Sequence, residues 1–445
     1  MKVSIVGTGY VGLVTGVCLA EKGHQVTCID IDDEKIGKIN RGIPPIHETG
    51  LEDLLKKNIK SRLQATNDLH GSVLATDITL IAVGTPFDGQ RIDLTFVEKV
   101  AQQIGQALKD KPGYHLVVVK STVVPGTTDE VVLPILEKTS GKKAGKDFGV
   151  GMNPEFLTEG QAVQDFMQPD RIVLGGMDEK SIDTLSRLYE QFAQVDKLRT
   201  NNKTAEMIKY TSNCLLATMI SFSNEIGNLC STLGDVDVVD VMKGMHLAHY
   251  LSPILPGGQR VPAPINAFLA AGCGFGGSCL PKDVKALIAH GERAGAPMRL
   301  LDAVIHINQE QPKRILTLLK KHFPSLKGIK IAILGLAFKP DTDDMRESPA
   351  IPIIKDLLAQ GAQIKAHDPV ANREARRYIN DDRVSYCDTL GEALSQVDAV
   401  VLVTRWEEFR KMPDLLAAMK SPPVFIDGRR MLDKHAIAKY EGIGL

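Results

Sequence analysis

The chain has 445 residues, more than one hydrophobic core usually serves, so two or three domains are expected. Its 53 basic and 54 acidic side chains are interspersed and leave a net charge of −1, which removes any electrostatic case for a nucleic-acid or anionic-membrane partner. Seven cysteines without a Cys-x-x-Cys pair argue against a disulfide framework or a metal site, and with no long apolar run and no leader ahead of the first strand they point to the cytoplasm.

The first element, Lys2-Val3-Ser4-Ile5-Val6, reads as a strand and runs straight into Gly7-Thr8-Gly9-Tyr10-Val11-Gly12. A helical pattern (Val14, Val17, Cys18) follows to Gly23, then a second strand from Gln25 to Ile29, ending at Asp30. Strand, glycine loop, helix, strand and terminal acid together make a dinucleotide-binding unit. Gly7 permits the tight turn, Gly9 admits a pyrophosphate, and Gly12 lets helix and strand pack closely. Asp30 stands where an adenosine ribose would be bound, and its charge disfavours a 2′-phosphate, so the cofactor reads as NAD.

Strands at 79–83, 116–119 and 149–152 end in Gly84-Thr85-Pro86, Lys120-Ser121-Thr122 and Asn153-Pro154-Glu155. Small and polar residues at strand ends are where ligands sit in a doubly wound sheet. A proline-free helical stretch covers 201–233, stopped by Gly234-Asp235; at 1.5 Å per residue it spans roughly 45–50 Å, a spine between domains and a dimer contact. Gly257-Gly258 through Pro264 forms a break. Then comes Gly272-Cys273-Gly274-Phe275-Gly276-Gly277-Ser278-Cys279-Leu280-Pro281-Lys282-Asp283, glycines first and then a thiol at a helix start, with Pro281 in the first turn. The α/β pattern resumes at 329–334, with further strands at 363–366, 397–403 and 424–426. The fold class is therefore α/β, two Rossmann-like doubly wound domains joined by a long central helix, divided at 1–200, 201–300 and 301–445.

Three polar pairs share an i, i+4 spacing that would put partners on one helical face: Glu155 with Glu159, Lys209 with Asn213, and Cys279 with Asp283. Each has a bland reading. The glutamates could be solvated first-turn carboxylates, the lysine and asparagine an exposed polar stripe, and Cys279 a small buried apolar residue. Against these, a thiol at a helix N-terminus is favoured as thiolate, and the three pairs accompany a nucleotide fold.

In this order, Gly7–Gly12, Asn153-Pro154-Glu155-Phe156-Leu157, Lys209 with Asn213, the cysteine loop and Lys339 to Arg346 resemble the UDP-glucose/GDP-mannose dehydrogenase family over essentially the whole chain. The resemblance implies a four-electron oxidation of a nucleotide sugar, UDP-glucose first, from the C6 alcohol to the carboxylate (UDP-glucuronate), with two NAD and one water per sugar. It implies Cys279 as the nucleophile that forms a thiohemiacetal and a thioester. Lys209 and Asn213 would stabilise oxyanions, Asp283 would position water or aid proton removal, Glu155 would be the base for thioester hydrolysis, and Thr122 would order water. For the cofactor it adds Lys35, Thr85, Ser121, Thr122, Glu159, Lys282 and Arg346 to Asp30 and the loop Gly7, Gly9, Tyr10, Val11, Gly12. For the sugar nucleotide it points to Glu155, Phe156, Leu157, Lys209, Asn213, Phe268, Leu269, Gly272, Gly276, Phe338, Lys339 and Arg429. It also implies a homodimer. One departure is visible: family members taking UDP-glucose usually read Arg-Ile-Gly before the Phe-Leu pair, where this chain has Ala263-Pro264-Ile265. That leaves GDP-mannose, another UDP-hexose or an N-acetylhexosamine open as the sugar. A two-electron hydroxyacid dehydrogenase, which needs no thiol, is the alternative reaction.

Overall fold

The computed structural model describes residues 1–445 and divides into two compact units, Met1–Ser212 and Asn213–Leu445. In the first unit the strands are β1 (Lys2–Val6), β2 (Gln25–Ile29), β3 (Leu63–Thr66), β4 (Ile78–Ile81), β5 (His115–Val119), β6 (Phe148–Met152), β7 (Arg171–Gly176) and β8 (Asp196–Thr200). They form one sheet in the order β3-β2-β1-β4-β5-β6-β7-β8, parallel except for the β6–β7 pair. The chain adds β2 and β3 on one side of β1, then returns to add β4 on the other. That reversal is a topological switch point, where the loops at the strand C-termini diverge and open a crevice.

Helices cover both faces of this sheet, so its central strands are continuously apolar rather than alternating. Along β5, Leu116 and Val118 enter one core while Val117 and Val119 enter the other. His115 is buried at the start of β5, between the Thr79 hydroxyl at 2.7 Å and the Thr76 carbonyl at 3.0 Å. Burial drives its ring down to about 3, so it is neutral and serves the core.

The second unit holds β9 (Lys330–Leu334), β10 (Gln363–His367), β11 (Val384–Tyr386), β12 (Ala399–Leu402), β13 (Val424–Asp427) and β14 (Tyr440–Gly442). Their order is β11-β10-β9-β12-β13-β14, all parallel, with a second switch point between β9 and β12. Ile331 and Ile333 pack into one core and Ala332 and Leu334 into the other. Between the two sheets in sequence comes the helix Asn202–Leu233, 32 residues long, which joins the two Rossmann-like domains. It stops where Gly234 takes φ +70, a left-handed conformation that glycine adopts freely and that ends a helix. No helix is long and apolar enough to cross a membrane.

Candidate functional site

At the end of β1 the glycine loop shows why each glycine is there. A Cβ on Gly12 would lie 1.9 Å from the Gly7 carbonyl oxygen, and one on Gly7, at φ +100, would lie 2.6 Å from the Ala82 oxygen. These two glycines let the helix Tyr10–Glu21 and the strand ends pack. Gly9 differs: no atom lies within 4 Å of its Cβ position, and it caps the helix N-terminus. Open space at a positive helix end suits a pyrophosphate. Asp30 follows β2; its Oδ2 accepts from the Thr8 amide at 2.8 Å and the Thr8 hydroxyl at 2.5 Å, and its Oδ1 from the Asp32 amide. Burial pushes this carboxyl up, but the Thr8 hydrogen bonds, the Asp32 amide and the Lys35 charge together hold it below the usual range, as a carboxylate. Lys35 sits in the next helix, one turn past its Asp32 cap. Thr85 donates to the Thr122 carbonyl at 2.7 Å and Ser121 to the Val83 carbonyl at 2.7 Å, knitting the ends of β4 and β5. Tyr10 donates to Glu48, which also accepts from the Gly160 amide at 2.7 Å; Glu159 adjoins that amide in sequence.

Beyond β6 the sequence expectation needs a correction. Glu155 and Glu159 do not share a helical face, because residues 153–158 are irregular and the next helix begins only at Ala162. Asn153 precedes a proline, which disfavours the helical conformation, and the Glu155 carboxylate turns back to accept the Leu157 amide at 2.6 Å. The loop instead aims Glu155 at the long helix, where its Oε1 lies 3.0 Å from Lys209 Nζ, both side chains being buried. Burial pushes the Glu155 carboxyl up, yet the Lys209 charge, the Leu157 amide and the Lys120 charge together hold it below the ordinary glutamate value. Phe156 carries the Arg171 guanidinium 4.0 Å above its ring.

Lys120 was not singled out from sequence. It is buried at the end of β5, donates to Asn153 Oδ1 at 3.0 Å, and lines a 140 Å³ cavity with Glu155, Phe156 and Leu157. Burial drives it down to about 8. The signal available was its place in Lys120-Ser121-Thr122 at a strand end, but a lone lysine there reads as solvated.

In the second unit, Asn213 Nδ2 donates to Asp283 Oδ2 at 2.6 Å, and Lys282 Nζ reaches Asp283 Oδ1 at 2.5 Å, with Asp283 almost fully buried. Cys279 is the N-cap of the helix Leu280–Arg293, and its carbonyl accepts the Asp283 amide at 2.8 Å. Six of the seven cysteines are buried and Cys279 is exposed, which removes the reading of it as a small core residue. By contrast, burial pushes Cys18, Cys28 and Cys214 up to about 12.

The loop before Cys279 is clamped by its own unit. Gly272 donates to Asn224, Phe275 to Asn308, and Arg429 to the Gly274 carbonyl, each within 2.8 Å. A Cβ on Gly276 would lie 2.3 Å from the Glu347 carbonyl oxygen, so only glycine allows this approach. Phe268, Gly276, Phe338, Lys339 and Arg429 line a 230 Å³ cavity; Leu269 lines a separate cavity of 510 Å³. Gly272 lies behind the first cavity, against Gly428 and Arg429. Arg346 is held bidentate by Asp344 at 2.8–3.0 Å. Arg260 donates to the Leu247 and Ser252 carbonyls, holding its own loop around Gly257 and Gly258.

Three models of one family match this chain: the NAD binding domain over residues 1–193, the central domain over 203–310 and the UDP binding domain over 332–434. The chain belongs to the UDP-glucose/GDP-mannose dehydrogenase family. It is 41% identical to the UDP-glucose 6-dehydrogenase AglM of Haloferax volcanii over the whole of both chains. It is 38% identical to the GDP-mannose 6-dehydrogenase of Pseudomonas putida, over 97% of this chain and 95% of that one. Among solved structures, a UDP-glucose dehydrogenase from Pyrobaculum islandicum matches with a TM-score of 0.89 and 38% identity, covering 100% of this chain and 97% of that one. As a family member the protein is an NAD-dependent nucleotide-sugar dehydrogenase. The glycine loop, with open space at Gly9 and an ionised Asp30 beyond it, fits that cofactor.

Proposed function

We propose that the chain oxidises C6 of UDP-glucose from alcohol to carboxylate, releasing two NADH and three protons per sugar and consuming one water. Each NAD, when bound, accepts one hydride. Lys209 and Asn213 stabilise negative charge on the C6 oxygen. The Cys279 thiolate adds to the aldehyde carbon to give a thiohemiacetal, whose oxidation leaves a thioester. Glu155, held ionised beside Lys209, takes a proton from a water ordered by Thr122; that water attacks the thioester carbon, and sulfur leaves with the C–S electron pair. Asp283, buried against Asn213 and Lys282, assists as a positioning group. Lys339 and Arg429 supply cations for the diphosphate, and the loop from Phe268 to Gly276 lies against the sugar nucleotide. The observation that carries the reading is the single exposed thiol, seated at a helix N-terminus in a member of this family. GDP-mannose is the second reading, supported by the GDP-mannose relatives and by Ala263-Pro264-Ile265 standing where Arg-Ile-Gly is usual.

NADH yield on a panel of UDP-glucose, UDP-galactose, GDP-mannose and UDP-N-acetylhexosamines is the test. UDP-glucose is expected to give the highest kcat/KM and two NADH per sugar consumed. One NADH per sugar would overturn the four-electron reaction, and a higher kcat/KM on another sugar would overturn the substrate.

The same reading includes a homodimer. Along the long helix, Leu215, Phe222 and Leu229 are each about half exposed and recur every seven residues, with Leu233 one turn further on. Seven residues is close to two helical turns, so they form one apolar stripe, which water disfavours on an isolated chain. Light scattering is expected to give twice the 48.4 kDa chain mass, and Phe222→Glu with Leu229→Glu to give the single-chain mass. A wild-type protein of single-chain mass at micromolar concentration would sink the dimer.

A further inference from the structure

Glu206 lies on the long helix with no exposed surface, and no lysine or arginine pairs with it. The lysines one turn to either side of it on the helix are engaged elsewhere, Lys203 with Glu130 and Lys209 with Glu155. A buried carboxylate without a cation is expensive, and glutamine or leucine would fill the same space at less cost. What occupies this one is the chain after β5. Glu206 Oε2 accepts the Gly126 amide at 2.6 Å, while Oε1 accepts the Thr128 amide at 2.8 Å and the Thr128 hydroxyl at 2.6 Å.

The need for such an acceptor follows from the local backbone. The helical segment after β5 opens with a wide turn, Thr128–Val132, whose first amides have no acceptor within their own helix. Gly126 has φ +99, a left-handed conformation that side-chain-bearing residues rarely adopt, so position 126 itself supplies no capping side chain. Glu206 caps it from another element. One turn later on the same helix, Lys209 holds Glu155, on the loop after β6.

We propose that Glu206 is a positioning residue, which fixes the segment carrying Ser121 and Thr122 relative to the Lys209–Glu155 pair. Two adjacent strand-end loops are thereby pinned to one turn of one helix. Burial pushes the Glu206 carboxyl up and its three hydrogen bonds pull it back, leaving it at about 7. The charged groups around it are Asp129, which raises it further, with Glu130 and Lys203 in mutual contact. The inference rests on the reading of Thr122 and Lys209 given above.

Glu206→Gln keeps the shape but turns one acceptor into a donor facing an amide N–H. In that variant kcat on UDP-glucose is expected to fall at least tenfold, with KM for sugar and NAD within twofold of wild type. Amides of residues 121–128 are expected to exchange with solvent at least tenfold faster, while those of β5 keep their protection. Thr128→Val removes one donor from the other side and is expected to cost two- to fivefold in kcat, with nothing added when combined with Glu206→Gln. A kcat within twofold of wild type in Glu206→Gln, a loss appearing mainly in KM, or unchanged exchange at 121–128 would each overturn the proposal. If the wild-type protein oxidises no sugar of the panel, the reading of the reaction fails, and hydrogen exchange in the two variants still decides whether the tether exists.

Discussion

Replacing Cys279 with alanine is expected to lower steady-state NADH production by about a thousandfold or more, because the covalent route to the carboxylate is lost. The side chain is exposed, so thermal stability should stay within about 0.5 kcal/mol of wild type, as for most surface substitutions. Cys279→Ser is the sharper variant. Its hydroxyl, unlike a thiol, is a weak nucleophile near neutral pH, and the reaction should stall during or after aldehyde formation. Stopped-flow NADH absorbance with each variant, at known enzyme concentration, makes the comparison. Ordinary turnover in either variant would remove the thioester from the mechanism and return the two-electron alternative.

Lys209→Met is expected to damage both folding and chemistry. The variant leaves Glu155 buried with its closest cation gone. Breaking one side of a buried pair costs about 3–5 kcal/mol. At about 2–4 °C per kcal/mol for a unit of this size, the thermal midpoint should fall by roughly 10 °C. The pH dependence has a definite sign. The Glu155 carboxyl is held below its ordinary value in the folded protein, so the pair stabilises above that value and the contribution is lost as pH falls through the lowered one. Removing Lys209 takes away its lowering charge and hydrogen bond, with the Leu157 amide and Lys120 remaining, so burial is expected to move the Glu155 carboxyl upward and protonation to relieve it as pH falls. The gap between wild type and variant should therefore be wide at pH 8 and narrower at pH 5 in calorimetry. A gap of equal size at both values would mean that the ion pair contributes nothing. Activity should fall by about a hundred- to a thousandfold, the scale of losing one oxyanion donor.

The elements written most plainly in the chain were those buried on both faces. Leu116 to Val119 and Ile331 to Leu334 are unbroken apolar runs, and Val3 to Val6 is interrupted only by Ser4; all three form strands where expected. β8 was invisible for the opposite reason: Asp196-Lys197-Leu198-Arg199-Thr200 lies at the sheet edge with most of its residues at least partly exposed, so nothing forces an apolar pattern. β14 is only three residues long and offers no periodicity at all. At the candidate site, the glycine loop and the long helix were legible because backbone conformation itself demands those residue types. Helical spacing misread Glu155 and Glu159, since the Asn153-Pro154 step and the return of Glu155 to the Leu157 amide override an i, i+4 pattern. Lys120 and Glu206 escaped because their significance lies in what buries them, and burial of a charged side chain has no local sequence signature.

The uneven exposure of the seven thiols has a chemical consequence. Sulfur oxidises and alkylates as thiolate and where solvent reaches it, so six of these side chains are shielded and damage is concentrated on one atom. On the proposed reaction, a single equivalent of an electrophile is expected to give a stoichiometric count of competent molecules. By the same proposal, peroxide is expected to silence the protein through a sulfenic acid at residue 279, reversible by thiols, before its buried thiols react.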